Sequence, residues 1–160
     1  MKIRSVEANN RRRAFELETD AGRFAMPYAR LRLQPSTGNR VADVYADPEL
    51  GREAFTYTLE AGEEDSVHLD EVLEYNEEPN YMADLLLYRL TLEAQKHMAA
   101  SSLSKREIIR RLGTSASQFY RLLDPTNRTK SASQLVALLH VLGCDVELTV
   151  KPRTPSRRSA

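Results

Sequence analysis

The chain has no tryptophan and a single cysteine among its 160 residues. One thiol, Cys144, has no partner for an internal disulfide, so a disulfide scaffold is excluded and a reducing, cytoplasmic setting is expected. No stretch reaches the roughly 20 uncharged apolar residues that a membrane-spanning helix needs. The opening MKIRSVEANNRRR lacks an apolar core, so no signal peptide is expected. Phosphate-cradling glycine patterns of the GxGxxG or GxxxxGKS kind are missing. His68, His97 and His140 stand far apart, without the spacing of metal ligands, and each reads as an edge-of-core or surface residue. Cys144 reads as a small buried hydrophobe. Acidic pairs such as Glu63-Glu64 and Glu77-Glu78 read as solvated loops. Neither an enzyme, a metal nor a cofactor is therefore expected.

Net charge is also missing, with 23 basic and 23 acidic residues, but the balance hides a division. Residues 1–78 carry 10 Lys/Arg against 17 Asp/Glu, a net of −7; residues 79–160 carry 13 against 6, a net of +7. A basic half joined to an acidic one points to a polyanion as partner of the second half, unless the charge merely varies along the chain.

The first half alternates apolar and polar residues with a period of two. Met1–Asn9, Arg12–Thr19, Arg23–Met26, Val41–Tyr45, Ala54–Glu60 and Ser66–Leu69 read as strands, with turn signals at Asn9-Asn10 and Asp20-Ala21-Gly22. Pro27–Leu33 reads as a helical turn and Gln34–Arg40 as a loop. The expectation is one small twisted sheet of five or six mostly antiparallel strands, with Tyr28, Tyr45, Tyr57 and Tyr75 packing it. The Arg11-Arg12-Arg13 run reads as exposed hairpin charge, with contact to nucleic acid as the alternative.

From Pro79 the period lengthens to about 3.6. A helix is expected over Pro79–Ala100, with apolar rows Met82, Leu86, Leu90, Ala94, Met98 and Tyr81, Leu85, Tyr88, Leu92. So broad an apolar surface implies burial on two sides. A further helix is expected over Ser133–Leu142, ended by Gly143, then a strand over Asp145–Val150. Together these give an α+β chain: a β-rich acidic domain at 1–78, a helical domain with a terminal strand at 79–151, and a disordered basic tail at 152–160.

Between them lies SKREIIRRLGTSASQFYRLLDP, Ser104–Pro125. Ser104 with Glu107 three residues on makes a capping box for a helix over Lys105–Leu112. Gly113 supplies a turn with φ > 0, Ser115 or Thr114 caps a second helix to Leu123, and Pro125 ends it. Ile108, Leu112, Phe119 and Leu122 are spaced to fill one shared cluster. Two short helices at a sharp angle are the geometry that offers the second to a DNA major groove. Ser117, Tyr120, Arg121 and Asp124 share the face opposite Phe119 and Leu122. Lys105, Asn127, Arg128 and Lys130 are the expected phosphate contacts. The segment 101–130 holds seven basic and two acidic residues, a net of +5.

These residues resemble the helix-turn-helix of phage-repressor-like (Xre-type) regulators, including HigA-type antitoxins. The likeness covers about Pro79–Leu142, with Ile108, Leu112, Gly113, Phe119 and Leu122 at core and turn positions. It implies a bundle of four or five helices, often continued by a strand, and places Ala116, Ser117, Tyr120 and Arg121 against the groove, with Ser115 and Gln118 beside them. Ile109 departs from the family pattern, which usually has alanine there, and implies a wider crossing of the two helices. Ala116 also departs, because relatives often carry glutamine at that position, so sequence reading rests more on Arg121. The N-terminal half is similar to a small bacterial sheet domain found beside such regulators. The resemblance implies double-stranded DNA as ligand, a homodimer, and a toxin or other protein as partner of the acidic domain. An interaction module that never binds DNA, built on a plain helical hairpin with a solvated basic face, is the alternative.

Overall fold

The structure, a computed structural model, describes residues 1–153. It is mixed α+β, with two three-stranded antiparallel sheets and five α-helices among those residues. The chain divides into two compact units, Met1–Ala83 and Asp84–Ala160.

In the first unit the alternating pattern forms β1 (Ile3–Asn9), β2 (Ala14–Thr19) and β3 (Gly22–Pro27), paired in that order. A 3-10 turn at Tyr28–Arg30 follows. A second sheet holds β4 (Val41–Ala46), β5 (Ala54–Leu59) and β6 (Glu64–His68). The single sheet expected from the pattern is thus two. Alternation fixes which face of a strand is apolar, but not which strand lies at its edge.

The two sheets share one core. Phe15 of β2 packs its ring 4.9 Å from both Phe55 and Tyr57 of β5, and 5.1 Å from Tyr28, mostly in edge-to-face geometry. β5 is covered on both faces: Phe55, Tyr57 and Leu59 point into this core, and on the other face the Thr56 hydroxyl donates to Asp47 Oδ2 at 2.7 Å. Burial pushes the Tyr57 phenol up to about 12, and its O–H donates to the Leu33 carbonyl. Of the tyrosines expected to pack the sheet, Tyr28 and Tyr57 are buried and Tyr75 is half-buried, but Tyr45 is exposed. The N-terminal strand is pinned to the β4–β5 turn: Ile3 N–H donates to the Arg52 carbonyl at 2.9 Å, and Arg52 Nε donates back to the Ile3 carbonyl at 3.0 Å.

A helix unforeseen from the sequence, α1 (Leu69–Asn76), follows β6. Leu69, Val72 and Leu73 bury its one apolar stripe against the sheets. The next helix, α2 (Pro79–Ala100), has the expected bounds. Its packed stripe in the second unit is Leu87, Leu90, Thr91, Ala94 and Met98, spaced i, i+3, i+4, i+7 and i+11. Of the expected row, Leu90, Ala94 and Met98 pack here, with Leu87 in place of Leu86. Leu86, Tyr88 and Leu92 are exposed by 40–55% in the single chain.

Three further helices, α3 (Lys105–Leu112), α4 (Ala116–Leu123) and α5 (Ala132–Val141), complete the second unit. Gly143 follows α5 at φ 81. Ile108, Phe119, Leu122, Leu135, Leu138 and Leu139 form its core with Ala94, and half-buried Cys144 packs at its margin. The strand expected over Asp145–Val150 is not formed: no neighbouring strand offers a ladder, and Leu148 and Val150 are exposed by 86% and 82%. Most of the expected basic tail, residues 154–160, lies outside the described residues. Among those residues no helix is long and apolar enough to cross a membrane.

Candidate nucleic-acid interface

The turn between α3 and α4 is built as its residues dictate. Ser104 Oγ accepts from the Glu107 N–H at 3.2 Å and starts α3; Gly113, at φ 69, ends it. Ser115 Oγ accepts from the Gln118 N–H at 3.2 Å and starts α4. Phe119 and Leu122 turn inward, with exposures of 0% and 4%, onto Ile108. The remaining face of α4 is left outside: Ala116, Ser117, Gln118, Tyr120 and Arg121 are all exposed.

The capping box of α3 is only half made. The Glu107 carboxylate turns away from the Ser104 backbone and accepts from Arg110 at 2.6 and 2.9 Å and from Arg111 at 2.8 Å. Hydrogen bonds from Arg110 first, then Arg111, hold the Glu107 carboxyl at about 2, below its ordinary 4.5. Because the folded value is the lower, the stabilisation is complete above pH 4.5 and is lost as pH falls toward 2. Glu107→Gln is expected to flatten the acid limb of Tm against pH in that window, followed by circular dichroism. An unchanged limb would mean that these pairs add nothing to the helix.

The expected contact residues separate into two groups. Lys105 stands beside the α4 face, its Nζ 5.8 Å from the Tyr120 ring centroid. Arg121 is exposed and takes part in no ion pair among the described residues. Arg106, next to Lys105 and exposed, adds a positive charge that was not singled out from the sequence. The loop residues do other work. Asn127 Nδ2 donates to the Arg121 carbonyl at 3.0 Å while its Oδ1 accepts from Thr129, which closes the end of α4. Arg128 lies 3.7 Å from Asp84. Lys130 is half-buried, and its ammonium donates to Thr91 Oγ1 at 2.7 Å and to the carbonyls of Leu122 and Asp124. All three N–H bonds are engaged, so Lys130 is a helix cap rather than a phosphate contact. Burial lowers its pKa, partly offset by Asp124.

Beside the turn, a cleft of about 260 Å³ joins Thr114 and Gln118 to Ser133 and Gln134 at the start of α5. The last two escaped the sequence reading because they are distant along the chain and have no charge. The arrangement offers amide, hydroxyl, phenol and guanidinium groups along one exposed helix face, able to donate and accept hydrogen bonds. Compared with family models, curated proteins and solved structures, the chain matches none of them.

Proposed function

We propose that the chain is a sequence-specific DNA-binding transcriptional regulator that places α4 in the major groove. The observation that carries this reading is the outer face of α4. Tyr120 and the unpaired Arg121 stand opposite the buried Phe119 and Leu122, with exposed Gln118 beside them, on a helix set off by a tight glycine turn. Arginine on such a helix grips guanine O6 and N7 with two hydrogen bonds, and glutamine pairs similarly with adenine. Lys105, with Arg106, supplies phosphate contacts from the start of α3. Arg128 reaches the same role only by leaving Asp84.

The experiment is a gel shift on DNA upstream of the protein's own gene, against random duplex, across a salt series. Saturable binding that resists random competitor supports the reading. Equal, steeply salt-dependent binding to any duplex would reduce it to phosphate contact alone. Absence of binding at low salt would replace it with a protein-interaction module.

The regulator acts as a homodimer. One recognition helix covers few base pairs, and half-sites of such proteins lie about one helical turn apart. Leu86, Tyr88 and Leu92 of α2, with Leu148 and Val150 beyond α5, are exposed apolar groups in the same unit, suited to meet a second copy. Sedimentation is expected to show a dimer at micromolar concentration; a monomer with and without DNA would refute this part.

A second role is favoured by the first unit. Glu7, Glu16 and Glu18 line one hollow of the β1–β3 sheet with Arg12 and Arg23, a mixed-charge surface that suits a protein better than DNA. By the antitoxin resemblance that partner is a toxin, with DNA binding serving autoregulation.

A further inference from the structure

Two charged hollows of the first unit differ in kind. The one on the β1–β3 sheet mixes three glutamates with two arginines. The other, of about 360 Å³, is lined by Asn10, Arg11, Arg13, Tyr28, Pro35, Ser36, Thr37 and Arg40, three cations without one carboxylate. This happens in a half of the chain whose net charge is −7, where a basic lining is least expected by chance.

The hairpin sorts its three consecutive arginines. Asn9 Oδ1 accepts from the Arg12 N–H at 3.1 Å, and Arg12 turns to Glu16 at 3.3 Å on the opposite hollow. Arg11 and Arg13 are left on this one. Arg12, Arg23 and Arg32 each have a carboxylate partner, whereas Arg11, Arg13 and Arg40 take part in no ion pair among the described residues. The carboxylates nearby are turned to the loop: Glu60 accepts from the Arg40 backbone N–H at 3.2 Å and Glu63 from Asn39 Nδ2 at 3.0 Å.

The frame is held from both sides. The Tyr28 N–H donates to the Arg13 carbonyl at 2.9 Å, and the Tyr28 hydroxyl donates to Asn10 Oδ1 at 3.0 Å, which leaves the Asn10 amide N–H groups to point elsewhere. Arg13 itself sits at φ 52, where glycine or asparagine is the easier choice.

We propose that Arg11, Arg13 and Arg40 form a binding site for a small molecule carrying a phosphate group. Guanidinium forks match phosphate oxygens two at a time, and three of them exceed what a monoanionic carboxylate would neutralise. Ser36 and Thr37 add hydroxyl donors, and the Tyr28 ring and Pro35 give an apolar wall for the body of the ligand. The site lies wholly in the first unit and does not depend on the DNA-binding reading.

The test is calorimetric titration of the full chain with inorganic phosphate and with adenosine monophosphate, at ionic strength fixed with chloride. Saturable one-to-one binding is expected, weakened at least about tenfold by Arg11→Gln or Arg40→Gln, as loss of a charge-assisted contact requires. Arg13→Gly removes a cation and relieves the backbone, so affinity should fall with no fall in Tm. Arg121→Ala should leave this binding unchanged. No saturable heat from either probe to about 10 mM would overturn the proposal, as would binding that survives all three arginine variants. Binding of random duplex but of neither probe would assign the phosphates to nucleic acid and overturn it equally.

Discussion

Arg121→Ala is expected to weaken binding to the specific operator by about 1–3 kcal/mol, roughly 5- to 150-fold, while binding to random duplex changes little. The side chain is exposed, and the group that supports the neighbouring loop is the Arg121 carbonyl, which accepts from Asn127 and survives the substitution. Folding should therefore be untouched, and Tm serves as the control. Lys130→Met in the same series should do the reverse. It lowers Tm, because Leu122 and Asp124 lose a donor, but leaves the salt dependence of DNA binding where it was. A salt slope that falls by about one in the Lys130 variant would return that lysine to the phosphate contacts.

Phe119→Ala should have the larger effect on stability, about 3–5 kcal/mol, because its ring is fully buried among Ile108, Leu122 and Leu135. That is a large share of what a domain of this size possesses. DNA binding should be lost altogether at ordinary temperatures, without any groove-facing residue having been altered. The sheet unit has its own core around Phe15, Phe55 and Tyr57, and Phe119 belongs to none of it. The near-UV signal of its tyrosines should persist in the variant. Loss of that signal together with the helices would show that the two cores melt as one.

What could be read in advance depended on whether the signal was local. The bounds of α3 follow from Ser104 and Gly113, and α2 starts at Pro79, because caps, glycines and prolines act on their own neighbours. The stripe Leu69, Val72, Leu73 was equally local, yet five acidic residues within LDEVLEYNEE disguise it as a loop. The division into two sheets was not legible, since register and edge are decided by distant residues. Among the site residues, the exposed face of α4 follows from helical geometry alone. Lys130 does not: its charge suggested solvent, but three acceptors gathered from α2 and the end of α4 draw it inward. The pairing of Arg110 and Arg111 with Glu107 was written at spacings of three and four, and reading Glu107 only as a cap concealed it.

The bond between Ile3 and Arg52 bears on how the chain comes to fold. At ordinary rates of synthesis, residue 52 follows residue 3 by roughly 2–10 s. The β1–β2 hairpin can form in microseconds, but through that interval it has no second sheet to cover Ile3, Phe15 and Leu17. Closing so long a loop is also an entropic barrier that the helices of the second unit, built from near neighbours, do not meet. The half that leaves the ribosome first is therefore the half that matures more slowly, and its nascent hairpin is where a chaperone, or a neighbouring nascent chain, would find something to hold.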